Sequence, residues 1–161
     1  MKNFRLSFIF LLLYQFGIAQ CDIKTTEKPD GNLIKYFNPK PVVRQSDYEI
    51  GVSIYKNITT DVVMVNTSIL FKGKAPQKLT GKLVIQTAGQ KGISLEPLVS
   101  ELIKMNGRDV AIGLYEIDKS SLLELLNYDL KSIFVYVGEN LVGSTITENK
   151  GTLRLNLGCF K

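Results

Sequence analysis

Histidine is missing from the whole chain, and that absence excludes more chemistry than any other feature. Without an imidazole there can be no Ser-His-Asp or Cys-His catalytic arrangement and no histidine-ligated zinc. The commonest general base at neutral pH is lost as well. Cysteine is nearly missing too: only Cys21 and Cys159 occur, too few for a cysteine-ligated zinc site and too far apart for a C-x-x-C redox centre. There is no G-x-G-x-x-G stretch, Walker loop or EF-hand loop, so nucleotide and calcium binding have no support. No cofactor or metal is expected. Strong charge is also lacking. The 20 basic and 15 acidic residues leave +5, or +3 once Lys2 and Arg5 are set aside, well short of the basic balance of a nucleic-acid binder.

What is present begins with a leader. Lys2 and Arg5 precede the apolar run Phe8-Ile9-Phe10-Leu11-Leu12-Leu13-Tyr14, and Gly17-Ile18-Ala19 puts small residues where signal peptidase requires them. Residues 1–19 therefore read as a cleavable signal peptide and 20–161 as a single β-rich domain, exported to the periplasm or secreted. A transmembrane anchor needs roughly 18 uninterrupted apolar residues, and Gln15 and Gly17 break the run, so no span is expected after cleavage. A lipid anchor on Cys21 is the lesser alternative, because Gln20 stands where a lipoprotein needs a small residue.

Export places the two cysteines in an oxidising compartment, where paired thiols are usually bridged. A Cys21–Cys159 bridge would span 138 positions and should bring the first and last strands side by side.

Two-residue alternation dominates the mature chain. Asp22–Glu27 and Asn32–Phe37 flank a Pro29-Asp30-Gly31 turn, and Tyr48–Ile54 alternates cleanly. Residues 62–71 are partly apolar on both faces, as in a central strand. Leu79–Ile85, Ile93–Leu95, Val110–Ile117, Ile133–Val137 and Leu141–Ile146 continue the pattern, with turns near Ala88-Gly89-Gln90 and Gly138-Glu139-Asn140. Asn106-Gly107 is a type I′ hairpin signal, although its first arm, Leu98–Met105, also fits a short helix. Near residues 119–127 the alternation gives way to helix chemistry, with Ser121 and Glu124 as a capping box and Leu122, Leu125 and Leu126 facing the sheet. A last strand should turn Leu153, Leu155 and Leu157 inward and Thr152, Arg154 and Asn156 outward. About ten short strands and one short helix make a mainly β sandwich or open-barrel-like domain, with α+β as the alternative. No linker, repeat or low-complexity segment divides it.

Catalytic candidates are weak. Ser53-Ile54-Tyr55-Lys56 matches S-x-x-K, but on a strand residues three apart point to opposite faces, and the companion motifs are missing. Glu96, Glu101, Glu116 and Asp118 could serve a carboxylate-dependent glycan hydrolase or lyase only if two of them met in a cleft. Between Asp61 and Glu96 there is no acid, while Lys72, Lys74, Lys78, Lys82 and Lys91 all fall there. Lys72, Lys74, Lys78 and Lys82 are the candidate anion contact, read alternatively as solvated lysines that discourage edge pairing. Asn57-Ile58-Thr59 and Asn66-Thr67-Ser68 match the glycosylation pattern, which matters only in a eukaryotic secretory host.

A leader ending near Gln-Cys before a β-rich body resembles many small exported proteins of Gram-negative bacteria. The likeness rests on no specific motif and implies no activity. The expected function is a non-enzymatic exported domain with a binding, assembly or accessory role toward an envelope or extracellular protein or glycan, through strand-edge pairing or the lysine loop. A periplasmic inhibitor or immunity-type protein is a further alternative.

Overall fold

Alternation dictates strands, and strands are what the chain forms. The computed structural model describes residues 21–89 and 91–160. The expected leader over 1–19 and the Gln90 turn position lie outside them. In chain order the elements are β1 (Lys24–Glu27), β2 (Leu33–Tyr36), β3 (Lys40–Arg44), β4 (Tyr48–Asn57), β5 (Val63–Phe71), β6 (Leu79–Thr87), β7 (Gly92–Leu95), β8 (Pro97–Met105) and β9 (Arg108–Glu116). Then follow α1 (Lys119–Asn127), β10 (Leu130–Val137), β11 (Asn140–Thr145) and α2 (Thr152–Gly158).

The fold is mainly β and curls like a half-barrel. The larger sheet runs β1-β2-β4-β5-β9-β8, with β3 also paired to β4, and the smaller runs β11-β10-β6-β7. Every pairing is antiparallel. Between β7 and β8 only Glu96 intervenes, so one nearly continuous stretch leaves the smaller sheet and becomes an edge of the larger.

The core fills the space between the sheets. Ile50, Val52 and Ile54 on β4 lie opposite Ile69, Thr67 and Val65 on β5, and Ala111 and Tyr115 on β9 extend that face. Leu83 and Ile85 on β6 and Ile133 and Val135 on β10 meet them from the smaller sheet, all fully buried. Burial pushes the Tyr115 phenol up to about 12, and its hydroxyl donates to the Gly81 carbonyl at 3.4 Å. As its two apolar faces foretell, β5 is central. Its outer face is polar at Asn66, buried and donating from Nδ2 to Ser53 Oγ at 3.2 Å.

At the β8–β9 hairpin, Asn106 and Gly107 take φ of 52° and 76°, the left-handed pair that a type I′ turn demands. The arm before it is therefore a strand, not a helix. Helix α1 forms where expected but with a different cap. Asp118 is the N-cap: its Oδ1 accepts from the backbone N–H of Ser120 at 2.8 Å and of Ser121 at 3.0 Å. Ser121 is thus inside the helix, and its hydroxyl also donates to Asp118 Oδ2 at 2.6 Å. Glu124 instead accepts from the Thr87 hydroxyl on β6. Asp118 outcompetes Ser121 because a charged acceptor one turn earlier satisfies two orphan N–H groups at once.

These bonds hold the Asp118 carboxyl below its ordinary range, with the Ser121 hydroxyl the largest cause and that of Ser120 next. Asp118→Ala should cost about 1 kcal/mol at neutral pH. A carboxylate depressed in the folded state stabilises above its unfolded pKa and loses that effect as pH falls through the folded one. The deficit of the variant in urea unfolding should therefore be full above roughly pH 4 and shrink in stronger acid. A deficit that ignores pH would contradict this role.

The largest departure lies at the C-terminal end. Residues expected to form the last strand form helix α2 instead. Leucines at 153, 155 and 157 alternate, but 153 and 157 are also four apart, and the helix buries that pair together with Thr152 and Asn156 while Leu155 stays exposed. The pattern fits both periods. The helical one prevails where leucine is a strong helix former and packing against α1 supplies the partner. The Arg154 guanidinium pins the helix to Asp129 at 2.9 Å.

The Cys21–Cys159 disulfide forms, with Cα atoms 5.9 Å apart. It joins Cys21, three residues ahead of the start of β1, to the C-cap of α2, so it does not place two strands side by side as expected. Phe37 and Phe160 meet edge-on beside it, ring centres 5.3 Å apart. A further strand, β3, was not legible. No described helix is long and apolar enough to cross a membrane.

Candidate functional site

Three surfaces bear on function: the lysine loop, the clefts and the free sheet edges. Residues 72–78 do form the exposed loop from β5 to β6. The structure brings to it carboxylates from elsewhere in the chain. The Lys72 ammonium lies 2.8 Å from Glu49 Oε1, that of Lys74 2.6 Å from Asp47 Oδ2, and that of Lys82, on β6, 2.6 Å from Glu96 Oε1. Hydrogen bonds from Lys72 and Lys74 hold the Glu49 and Asp47 carboxyls below their usual range. Lys78 alone of the four has no carboxylate partner among the described residues. The stretch without acids in sequence is thus partly compensated in space: β4 and the residue before it supply Glu49, shared with Arg44, and Asp47, and Glu96 faces Lys82.

The acids singled out in sequence are spread over the fold. Glu96 is paired with Lys82, Glu101 is exposed on β8, Glu116 is exposed at the end of β9, and Asp118 caps α1. Four clefts stand out among the described residues, and each holds one carboxylate at most. Glu49 lies in a cleft of 280 Å³ with Arg44 and Ser68, and Asp22 in one of 330 Å³ beside the disulfide. A 350 Å³ groove near Lys91 and Lys131 has none. Asp47 lies in the largest of the four, 410 Å³, at the open mouth between the sheets. Among the described residues no three His, Cys, Asp or Glu side chains cluster as metal ligands would. Ser53 and Lys56 sit on β4, where Ser53 bonds to Asn66 and Lys56 pairs with Asp61 at 2.8 Å. They do not face one another as a serine–lysine pair must.

The free edges differ sharply. β1 ends the larger sheet with Lys24, Thr25, Thr26 and Glu27, all exposed and none apolar. β7 is only four residues long. A charged edge such as β1 and a very short one such as β7 are two ways sheets avoid unwanted pairing. β8, at the other edge of the larger sheet, is nine residues long and exposes apolar side chains on both faces. Leu98 is 52% exposed, Val99 38%, Leu102 41% and Met105 41%. Its lysine, Lys104, is tied back to Asp109 on β9 at 3.0 Å, and Glu101 is its one charge outside an ion pair among the described residues. The lapse of alternation over 98–105 was the available signal, since a strand exposed on both faces has no reason to alternate.

Neither a scan of protein-family models nor a search of curated proteins finds a match.

Proposed function

We propose that this chain is an exported, non-enzymatic binding or assembly domain of the cell envelope or extracellular space, working by strand addition at β8. One observation carries the reading: a nine-residue edge strand keeps its outward N–H and C=O groups unpaired and exposes four apolar side chains beside them. An extended segment of a partner protein laid along it would gain main-chain hydrogen bonds for affinity and alternate side-chain contacts for specificity. The disulfide and the leader read in residues 1–19 support an oxidising, exported setting. The lysine loop is the weaker contact surface, because three of the four lysines already hold carboxylates. An inhibitor or immunity-type role would use the same edge.

The test substitutes Leu102→Lys, which adds a gatekeeping charge at an exposed site. The variant should melt as the parent does, within about 0.5 kcal/mol. It should lose the proteins that co-purify with the parent from native membranes and periplasm, and with them the slowed hydrogen exchange of the β8 amides. A Lys72→Ala/Lys78→Ala variant should keep both. Loss in the lysine variant, with binding that weakens steeply in salt, would move the contact to the loop. A complex unaffected by Leu102→Lys would remove the β8 reading.

A further inference from the structure

The largest of the four clefts is not on the β8 edge. It opens at the mouth between the two sheets, and its walls are divided by chemistry. Tyr48 and Phe71 are cross-strand partners on β4 and β5, and the smaller sheet contributes Val137 and Val142. The Tyr48 hydroxyl donates to the Gly143 carbonyl on β11 at 3.1 Å. That bond ties the ring to the opposite sheet and fixes it in the wall. The polar lining is Asp47, Lys74, Gln77 and Asn140. The first two pair with each other at 2.6 Å, so their charges cancel. The carboxamides of Gln77 and Asn140 make no hydrogen bond among the described residues and present both donors and acceptors.

This lining selects by elimination. An anion would meet Asp47 and a cation would meet Lys74, and the pair gives neither a net field. A wholly apolar molecule would strip water from four polar groups and return nothing. What remains is a neutral molecule with one flat C–H face for the aromatic wall and a ring of hydroxyls for the rim. We propose that the cleft between the sheets binds one ring of a neutral sugar, its C–H face against Tyr48 and Phe71 and its hydroxyls on Asp47, Lys74, Gln77 and Asn140. The volume of 410 Å³ falls in the usual range for small-ligand sites, about 300–1,000 Å³. Because the cleft is open and only one ring is held, affinity is weak, and because the ligand is uncharged, it does not depend on salt.

The experiment is an NMR titration of the disulfide-bonded protein with cellobiose, lactose and chitobiose, each at low and high salt, with uridine and a heparin tetrasaccharide as rival probes. At least one neutral disaccharide should shift the Asn140 and Gln77 side-chain amides, saturating in the millimolar range and equally at both salts. Asn140→Ala and Gln77→Ala, both at exposed positions that leave the fold intact, should each weaken it about fivefold to tenfold. Leu102→Lys should leave it unchanged, which keeps this site distinguishable from the β8 edge. The proposal is overturned if no disaccharide moves these amides, if only uridine or the heparin fragment does, or if both carboxamide variants bind as the parent does.

Discussion

Replacing Cys21 and Cys159 by serine will cost about 3–5 kcal/mol and lower the melting temperature by roughly 10 °C. The bridge encloses a separation of 138 residues, nearly the full described chain, so it removes about as much freedom from the unfolded state as one crosslink in a chain this size can. In the chain-entropy model that amounts to about 5 kcal/mol at room temperature, and measured values usually fall below it. There is a local effect as well. β1 is wholly exposed and pairs only with β2, so the bond anchors an edge that burial does little to hold. Unfolding in urea, with and without reductant, reads the total. Hydrogen exchange should show residues 21–27 losing protection before the centre of β4 and β5. If the serine variant melts within a degree or two of the parent, the bond is incidental to the fold.

Gly143→Ala should be the most damaging single substitution outside the core, at about 3 kcal/mol, the upper end of overpacking costs. Two causes add: the backbone sits at φ 159°, a positive value that residues with a Cβ rarely adopt, and the space beside it is already filled. A methyl on Gly143 would collide with the Ile133 carbonyl oxygen and stand 2.6 Å from the Phe134 Cα, both on β10. Backbone in a paired strand cannot step aside as a side chain can, so β11 must lift from β10. Lifting it breaks the bond from Tyr48 to the Gly143 carbonyl and spreads the mouth between the sheets, so sugar binding and stability should fall together. Gly92→Ala is the control, because a methyl there meets no atom within 4 Å, and it should lie within about 0.5 kcal/mol of the parent. Equal costs for the two would refute the steric account.

How far the residues alone foretell this molecule varies with how many partners each segment has. β4 and β5 are legible because both are flanked on each side, so burial enforces a pattern over many positions. The Asn106-Gly107 turn is legible because two consecutive left-handed residues leave few alternatives. The disulfide is legible because only two cysteines exist to pair. Helix α2 is not, since Leu153 and Leu157 satisfy a strand and a helix equally, and the choice rests on whether a sheet edge or α1 lies nearby. β3 escapes notice because Pro41 lies within it and Pro39 just ahead of it, and proline in a short run speaks against a strand except at an edge. In the candidate sites, charge was the misleading guide. Lysines 72 and 74 look unopposed along the chain because Asp47 and Glu49 precede them by more than twenty residues, and only the β4–β5 register brings them together. Of the features that set β8 apart, exposure on both faces leaves a trace in the lapse of alternation over 98–105, but the free edge is a property of strand order, which no local pattern encodes.

The position of the sulfur bridge also decides how the domain bears load. Cys21 and Cys159 lie close to the two ends of the described residues, their backbones 5.9 Å apart. Tension applied to the backbone on the outer side of each cysteine runs across one covalent link and bypasses the ladders of both sheets. A tether hung on this domain could be pulled hard while the protein between the sulfurs stayed slack, and it would shear strand from strand only after a reductant had cut that link.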